Sequence, residues 1–168
     1  MSDECHSFTG PCSHKVTRMG GISNSEWGRV RKSMTATEDD LKSLSQFHDE
    51  QGHAVSFYFR PGTGTGSERD GMLMNLRARD IISNHFLCGD KGHGLLRDLD
   101  AVLELCEAGM QQSGPVKVVF ACHDQGIWRE FSVPSSARIV RLEAGKEFDL
   151  APLMHLLHTD GGASPNAA

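Results

Sequence analysis

The chain has 168 residues and a formal net charge of -5, with a pI near 6.0. That length suits one domain with flexible ends. The acidic balance argues against indiscriminate duplex binding, which needs clustered Lys and Arg. Hydrophobic residues are 38% and charged residues 23% of the chain, as in an ordinary globular protein, and no apolar run approaches the ~20 residues of a membrane span.

In chain order, the first segment, MSDECHSFTG, is acidic and polar where a secretory leader is basic and then apolar, so the expected location is the cytoplasm. Residues 1–34 lack a hydrophobic period and read as a flexible extension. Cys5, His6, Cys12 and His14 place four ligand types close together. Zinc accepts two thiolates and two imidazoles, so this extension is the one place where a metal is considered; the spacing is not that of a standard finger, and no other cofactor is expected. The remaining cysteines, Cys88, Cys106 and Cys122, make the total odd and scattered, which fits free thiols rather than a disulfide framework.

A single α/β (α+β) domain is expected over 35–158. A helix should start after Thr37, with Glu38, Asp39 and Asp40 in its first turn and Leu41, Leu44 and Phe47 following, and Gly52 closing the segment. His53 to Phe59 alternates as a buried strand. Pro61 and three glycines form a loop, and Asp70 to Leu87 has helical spacing through Met74, Ala78, Ile81 and Ile82. A further helix is expected from Leu95 to Ala108. Val116 to Cys122 reads as a central strand, joined by a tight Asp-Gln-Gly turn to Ile127–Val133. A fourth strand is expected over Arg138–Leu142 and a closing helix over Leu150–Leu157, with a disordered tail from 159 to 168. Two intervening helices make the first and central strands candidates for parallel neighbours, so the expectation is a four-stranded mixed sheet with covering helices.

Three groups of residues invite chemistry. Arg60, Gly62, Gly64, Gly66 and Arg69 lie between a strand and a helix, where backbone N–H groups can hold a phosphate, although neither the dinucleotide fingerprint nor the Walker pattern is completed. Arg77 and Arg79 follow on the helix and, with the loop, form the preferred contact surface for RNA or an acidic partner. Cys122, His123 and Asp124 are the residue types of a thiol triad, but sequential neighbours point in different directions, and Cys122 reads as a core residue. Met72, Met74 and Met110 read as core or cover.

Several of these segments carry a resemblance. His53-Ala-Val-Ser-Phe-Tyr-Phe, Leu76-Arg-Ala-Arg-Asp-Ile-Ile, the pair Val116-Lys-Val-Val-Phe-Ala-Cys and Gly126-Ile-Trp-Arg-Glu-Phe-Ser-Val-Pro134, and Phe148-Asp-Leu-Ala-Pro-Leu153 resemble the N-terminal domain of bacterial relatives of the archaeal and eukaryotic peptide-chain release factors. The resemblance spans roughly residues 38 to 158 and implies that fold, together with association with the ribosome or a translation-related protein. The family's Gly-Gly-Gln and Asn-Ile-Lys-Ser signatures are absent, and Asn75-Leu-Arg-Ala stands where the second would be. The expected role is therefore a non-catalytic binding module that is ribosome- or translation-associated. The alternatives are an enzyme that binds a nucleotide or phosphometabolite through the Gly62–Gly66 loop, and a protein-interaction module using an open sheet edge or the chain ends.

Overall fold

The computed structural model describes residues 35–87, 92–110 and 112–160. The readings made for residues 1–34, including Cys5, His6, Cys12 and His14, and for 161–168 lie outside them. The first helix, α1 (Glu38–Ser45), starts where the acidic turn indicated. Asp40 N–H donates to Thr37 Oγ1 at 3.2 Å, and Thr37 N–H donates back to the Asp40 carboxylate at 3.1 Å. This reciprocal box satisfies N–H groups that a helix start leaves unpaired. The hydrogen bonds from Thr37 also hold the Asp40 carboxyl below its usual range. The helix stops at Ser45, well before Gly52. Phe47 instead stacks on Phe148, with ring centroids 4.4 Å apart.

Among the described residues the strands form one four-stranded sheet in the order β3-β2-β1-β4. They are β1 (Ala54–Phe59), β2 (Val116–Cys122), β3 (Ile127–Val133) and β4 (Val140–Gly145). All three pairings are antiparallel, with Phe57 opposite Val119 on β2 and Leu142 on β4, and Phe120 opposite Arg129 on β3. This corrects the expectation of a mixed sheet with β1 and β2 parallel. One helix between two strands carries the chain back to its starting end, whereas two helices running in opposite senses carry it there and back again. The two helices here are α2 (Thr65–Leu87) and α3 (His93–Gly109). They run in opposite senses: a Cβ added to Gly71, early in α2, would meet Met110 just past the end of α3.

Alternation along β1 sends its side chains into two separate apolar layers. Val55, Phe57 and Phe59 pack with Met74, Ala78 and Ile81 of α2 and with Leu95, Leu99 and Val102 of α3. Ala54 and Tyr58 pack with Phe120, Phe131 and Leu44, and with Leu153 and Leu156 of α4 (Ala151–Asp160). Helices thus cover both faces, and all of β1 is buried. Ser56 and Tyr58 are the polar members of the second face. Ser56 Oγ accepts from Asp149 N–H at 2.9 Å, and the Tyr58 hydroxyl donates to the Asp149 carbonyl. These bonds tie the approach to α4 onto the central strand. Burial, with Asp149 adding to it, pushes the Tyr58 hydroxyl well above its ordinary range.

Helix α2 starts five residues before the expected Asp70, because Ser67 N–H (3.0 Å) and Glu68 N–H (3.4 Å) already donate to Gly64 O. Strand β4 is displaced toward the C-terminus of the expected Arg138–Leu142, and α4 continues to Asp160. The β2–β3 hairpin closes through a 3-10 turn, His123–Gln125, followed by Gly126 at φ +66°. No helix among the described residues is long and apolar enough to cross a membrane.

Candidate functional site

The arginines that the sequence groups into one surface separate into two kinds. Arg60 is turned onto the segment before β4: its N–H donates to Ile139 O at 3.1 Å, and its guanidinium donates to Ser136 O. Arg77 fastens α2 to β4, donating to Leu142 O (3.2 Å) and Glu143 Oε2 (2.5 Å) and also to Asp80 Oδ2 on its own helix (2.8 Å). Arg69 and Arg79 are exposed and take no side-chain partner among the described residues.

The glycine loop joins β1 to α2. Gly64 has φ +94°, a conformation that favours glycine, while a Cβ at Gly62 would meet nothing within 4 Å. Gly66 falls inside the first turn of α2, and its carbonyl accepts from Arg138 (3.4 Å), which also pairs with the nearly buried Asp70 at 2.8 Å. Arg60 and Arg138 therefore bind this loop to residues 134–139.

Between Arg69 and Arg79 the outward side of α2 is apolar. Met72 is 66%, Leu73 47% and Leu76 55% exposed. The inward side carries Met74, Ala78 and Ile81, so the helix has apolar side chains on two faces. The reading of Met72 as a core or cover residue is corrected here, whereas Met74 is buried as expected. The signal was present in the spacing of Met72, Leu73 and Leu76, but it was masked by the stronger stripe opposite.

A second cluster lies at the end of the sheet where β1 begins and β2 finishes. His53 is buried, and its Nδ1 donates to Asp124 Oδ2 at 2.7 Å. Its backbone N–H donates to Asp49 Oδ2 at 2.8 Å. Asp98 of α3 accepts His123 N–H at 2.6 Å, and Arg97 Nη1 donates to His123 Nε2 at 3.1 Å. His85, near the end of α2, places its ring nitrogens against Ile81 O (3.0 Å) and Gly52 O (3.1 Å). Burial pushes the Asp98 carboxyl up to about 7; the His123 N–H opposes this, Asp124 adds to it, and His53 opposes it. These residues come from four separate stretches of chain: the loop before β1, α2, α3 and the turn after β2. Only the antiparallel register of β1 and β2 brings His53 and Asp124 together, so no local motif announces the pair.

Among the described residues, the cysteine that the sequence sets beside His123 and Asp124 does not join this cluster. Cys122 points into the opposite layer, among Ala54, Phe120 and Leu156. Burial, ahead of the opposing Gln125 N–H, pushes its thiol up to about 11, far from the thiolate that chemistry needs. The cluster's bonds instead join the start of β1, the turn after β2 and the N-terminal half of α3. Among the described residues no group of three or more His, Cys, Asp or Glu is arranged to hold a metal ion.

No family model and no curated protein matches the chain. A solved structure described only as an archaeal protein superposes with a TM-score of 0.55 at 20% sequence identity. The superposition covers 76% of this chain and 37% of the other. That similarity shows the α+β fold, and this chain spans well under half the length of that protein.

Proposed function

We propose that the domain is a non-catalytic binding module of the cytoplasm that associates with the translation apparatus through the exposed side of α2. The observation that carries this reading is the division of labour among charged side chains. His53, Asp98, Asp124, Arg60 and Arg77 hold the domain's own elements together, whereas Arg69 and Arg79 face outward on one helix. The two arginines are ten positions apart, about 15 Å along the helix axis, a separation suited to contacting two separate phosphates of a folded RNA. The choice of translation as the setting is supported by the resemblance of β1, α2 and the β2–β3 hairpin to the release-factor N-domain.

Co-sedimentation with ribosomes over a salt series tests this. The protein is expected to be enriched in the ribosomal pellet. Arg69→Ala combined with Arg79→Ala should weaken binding by roughly tenfold and reduce the logarithmic salt slope by about one to two, the contribution of two phosphate contacts. No enrichment, or enrichment indifferent to both substitutions, would overturn the proposal. Zinc at Cys5, His6, Cys12 and His14 is a separate proposal, checked by elemental analysis of the purified chain.

A further inference from the structure

We infer that the exposed face of α2 is also a self-association surface, on which a second copy of this chain packs its own α2 antiparallel. The four exposed large hydrophobic side chains among the described residues are Met72, Leu73, Leu76 and Met154, and three of them share this face. Single exposed apolar residues are ordinary, but a contiguous group on one rigid helix marks a surface that is covered in some state.

What covers it is indicated by the order of charges. At about 100° and 1.5 Å per residue, Leu76 lies near the centre line of the face. Arg69 and Asp80 lie to one side of that line, and Glu68 and Arg79 to the other. A two-fold axis between antiparallel helices brings each residue to one at the mirrored height on the same side. The pairs Met72 with Leu76, Glu68 with Arg79, and Arg69 with Asp80 have midpoints within half a residue of position 74. One docking register therefore places Met72 on Leu76 of the second copy, Arg69 on its Asp80, and Arg79 on its Glu68. Every charge pair is of opposite sign, and the symmetry makes each occur twice. Arg69, Glu68 and Arg79 are exposed and available. Asp80 uses Oδ2 for Arg77 and is 57% exposed, leaving Oδ1 for the neighbouring copy.

A foreign partner would need an apolar strip bordered by this same pattern of charge. The chain already carries that pattern in reverse on its own helix. The arrangement has the anatomy of a small interface, an apolar centre with a charged rim. One helix pair is below the usual size of a stable interface, so a Kd of about 10–100 µM is expected. Because Arg69 and Arg79 would serve both uses, self-association and RNA contact exclude one another. The inference does not depend on the proposed function.

Sedimentation equilibrium of the full chain from about 5 µM to about 500 µM, a range that brackets the expected Kd, is the test. Wild type should pass reversibly from monomer to dimer. Leu76→Asp, which sets a carboxylate at the centre of the face, should remain monomeric throughout with unchanged far-ultraviolet circular dichroism. Arg79→Glu should weaken the dimer about tenfold, and Glu68→Arg added to it should restore the dimer, since the swap re-forms the pair in reversed polarity. A wild-type chain monomeric over the whole range overturns the inference, as does a dimer indifferent to Leu76→Asp. A double variant no tighter than Arg79→Glu alone overturns the antiparallel register. A chain that dimerises but never pellets with ribosomes upholds this inference and removes the proposed function; the reverse result does the opposite.

Discussion

Gly94 offers a substitution whose sign is opposite to that expected for its secondary structure. It sits in the first turn of α3, where replacing Gly by Ala ordinarily stabilises a helix by up to about 1 kcal/mol. Here an added Cβ would lie 2.2 Å from Asp124 Oδ1 and 2.8 Å from Oδ2. That is more than ~1 Å inside ordinary contact. The Asp124 side chain is short, so its carboxylate cannot withdraw without leaving the Nδ1–H of His53, now 2.7 Å away. His53 is 1% exposed, so water does not readily replace the lost acceptor. Leaving a buried donor unsatisfied costs about 1–3 kcal/mol, which exceeds the helix gain, and Gly94→Ala should therefore destabilise the domain by about 1–2 kcal/mol. With a urea m-value of about 1–3 kcal/mol/M, the midpoint should fall by roughly 0.5–1 M. Asp124→Ala removes both the clash and the bond. In that background Gly94→Ala should be neutral or stabilising by up to about 1 kcal/mol, a coupling that a double-mutant cycle reads directly. Stabilisation by Gly94→Ala in the wild-type background, or the same cost in both backgrounds, would refute the reasoning.

Three further outcomes are expected from the contacts of Asp98, Arg77 and the glycine loop. Because folding raises the Asp98 pKa to about 7, the native state holds a proton that the unfolded chain releases near pH 4. The native state then binds more protons than the unfolded one in between. Its contribution to stability is fully present below about pH 4 and is lost as pH rises toward 7. Asp98→Asn should remove that decline and gain stability over wild type at pH 8, while its amide oxygen still accepts His123 N–H; chemical denaturation at pH 4, 6 and 8 checks it. Arg77→Ala removes the link between α2 and β4 and should lower the urea midpoint by the equivalent of about 1 kcal/mol, since the ion pairs are part-exposed and discounted accordingly. In the loop, Gly62→Ala should be neutral within about 0.5 kcal/mol, whereas Gly64→Ala should cost about 1–2 kcal/mol because φ +94° disfavours a side chain; equal effects in thermal melts would refute that distinction.

Residues whose role is set by near neighbours could be read from the sequence. The start of α1 after Thr37 was legible in its acidic first turn, and β2 and β3 begin and end where their alternation and the Asp-Gln-Gly turn placed them. Burial of all of β1 was visible in its apolar and aromatic run. Most of what failed depended on where distant segments meet, the start of α2 being a local exception. The sense of β2 relative to β1 depends on α2 and α3 running in opposite directions, which hydrophobic spacing within either helix does not encode. The start of α2 was hidden because glycine-rich sequence reads as loop, while the first turn is held by bonds to Gly64 O.

The arginines show the same distinction on the scale of the candidate surface. Arg77 and Arg79 are two positions apart on one helix and look equivalent in sequence. A rotation of about 200° separates them. That rotation sends Arg77 to Glu143, 66 residues away, and leaves Arg79 outside. Which arginine becomes structural depends on β4 supplying an acceptor at Leu142 and a carboxylate at Glu143, facts of strand register that α2 does not carry. Once register is known, the pattern on α2 resolves into an inward stripe holding the sheet and an outward stripe bordered by opposite charges. The proposed binding surface is thus defined by subtraction. It consists of the apolar and charged side chains that remain after the fold has used Arg60, Arg77 and Arg138 to fasten its own elements together.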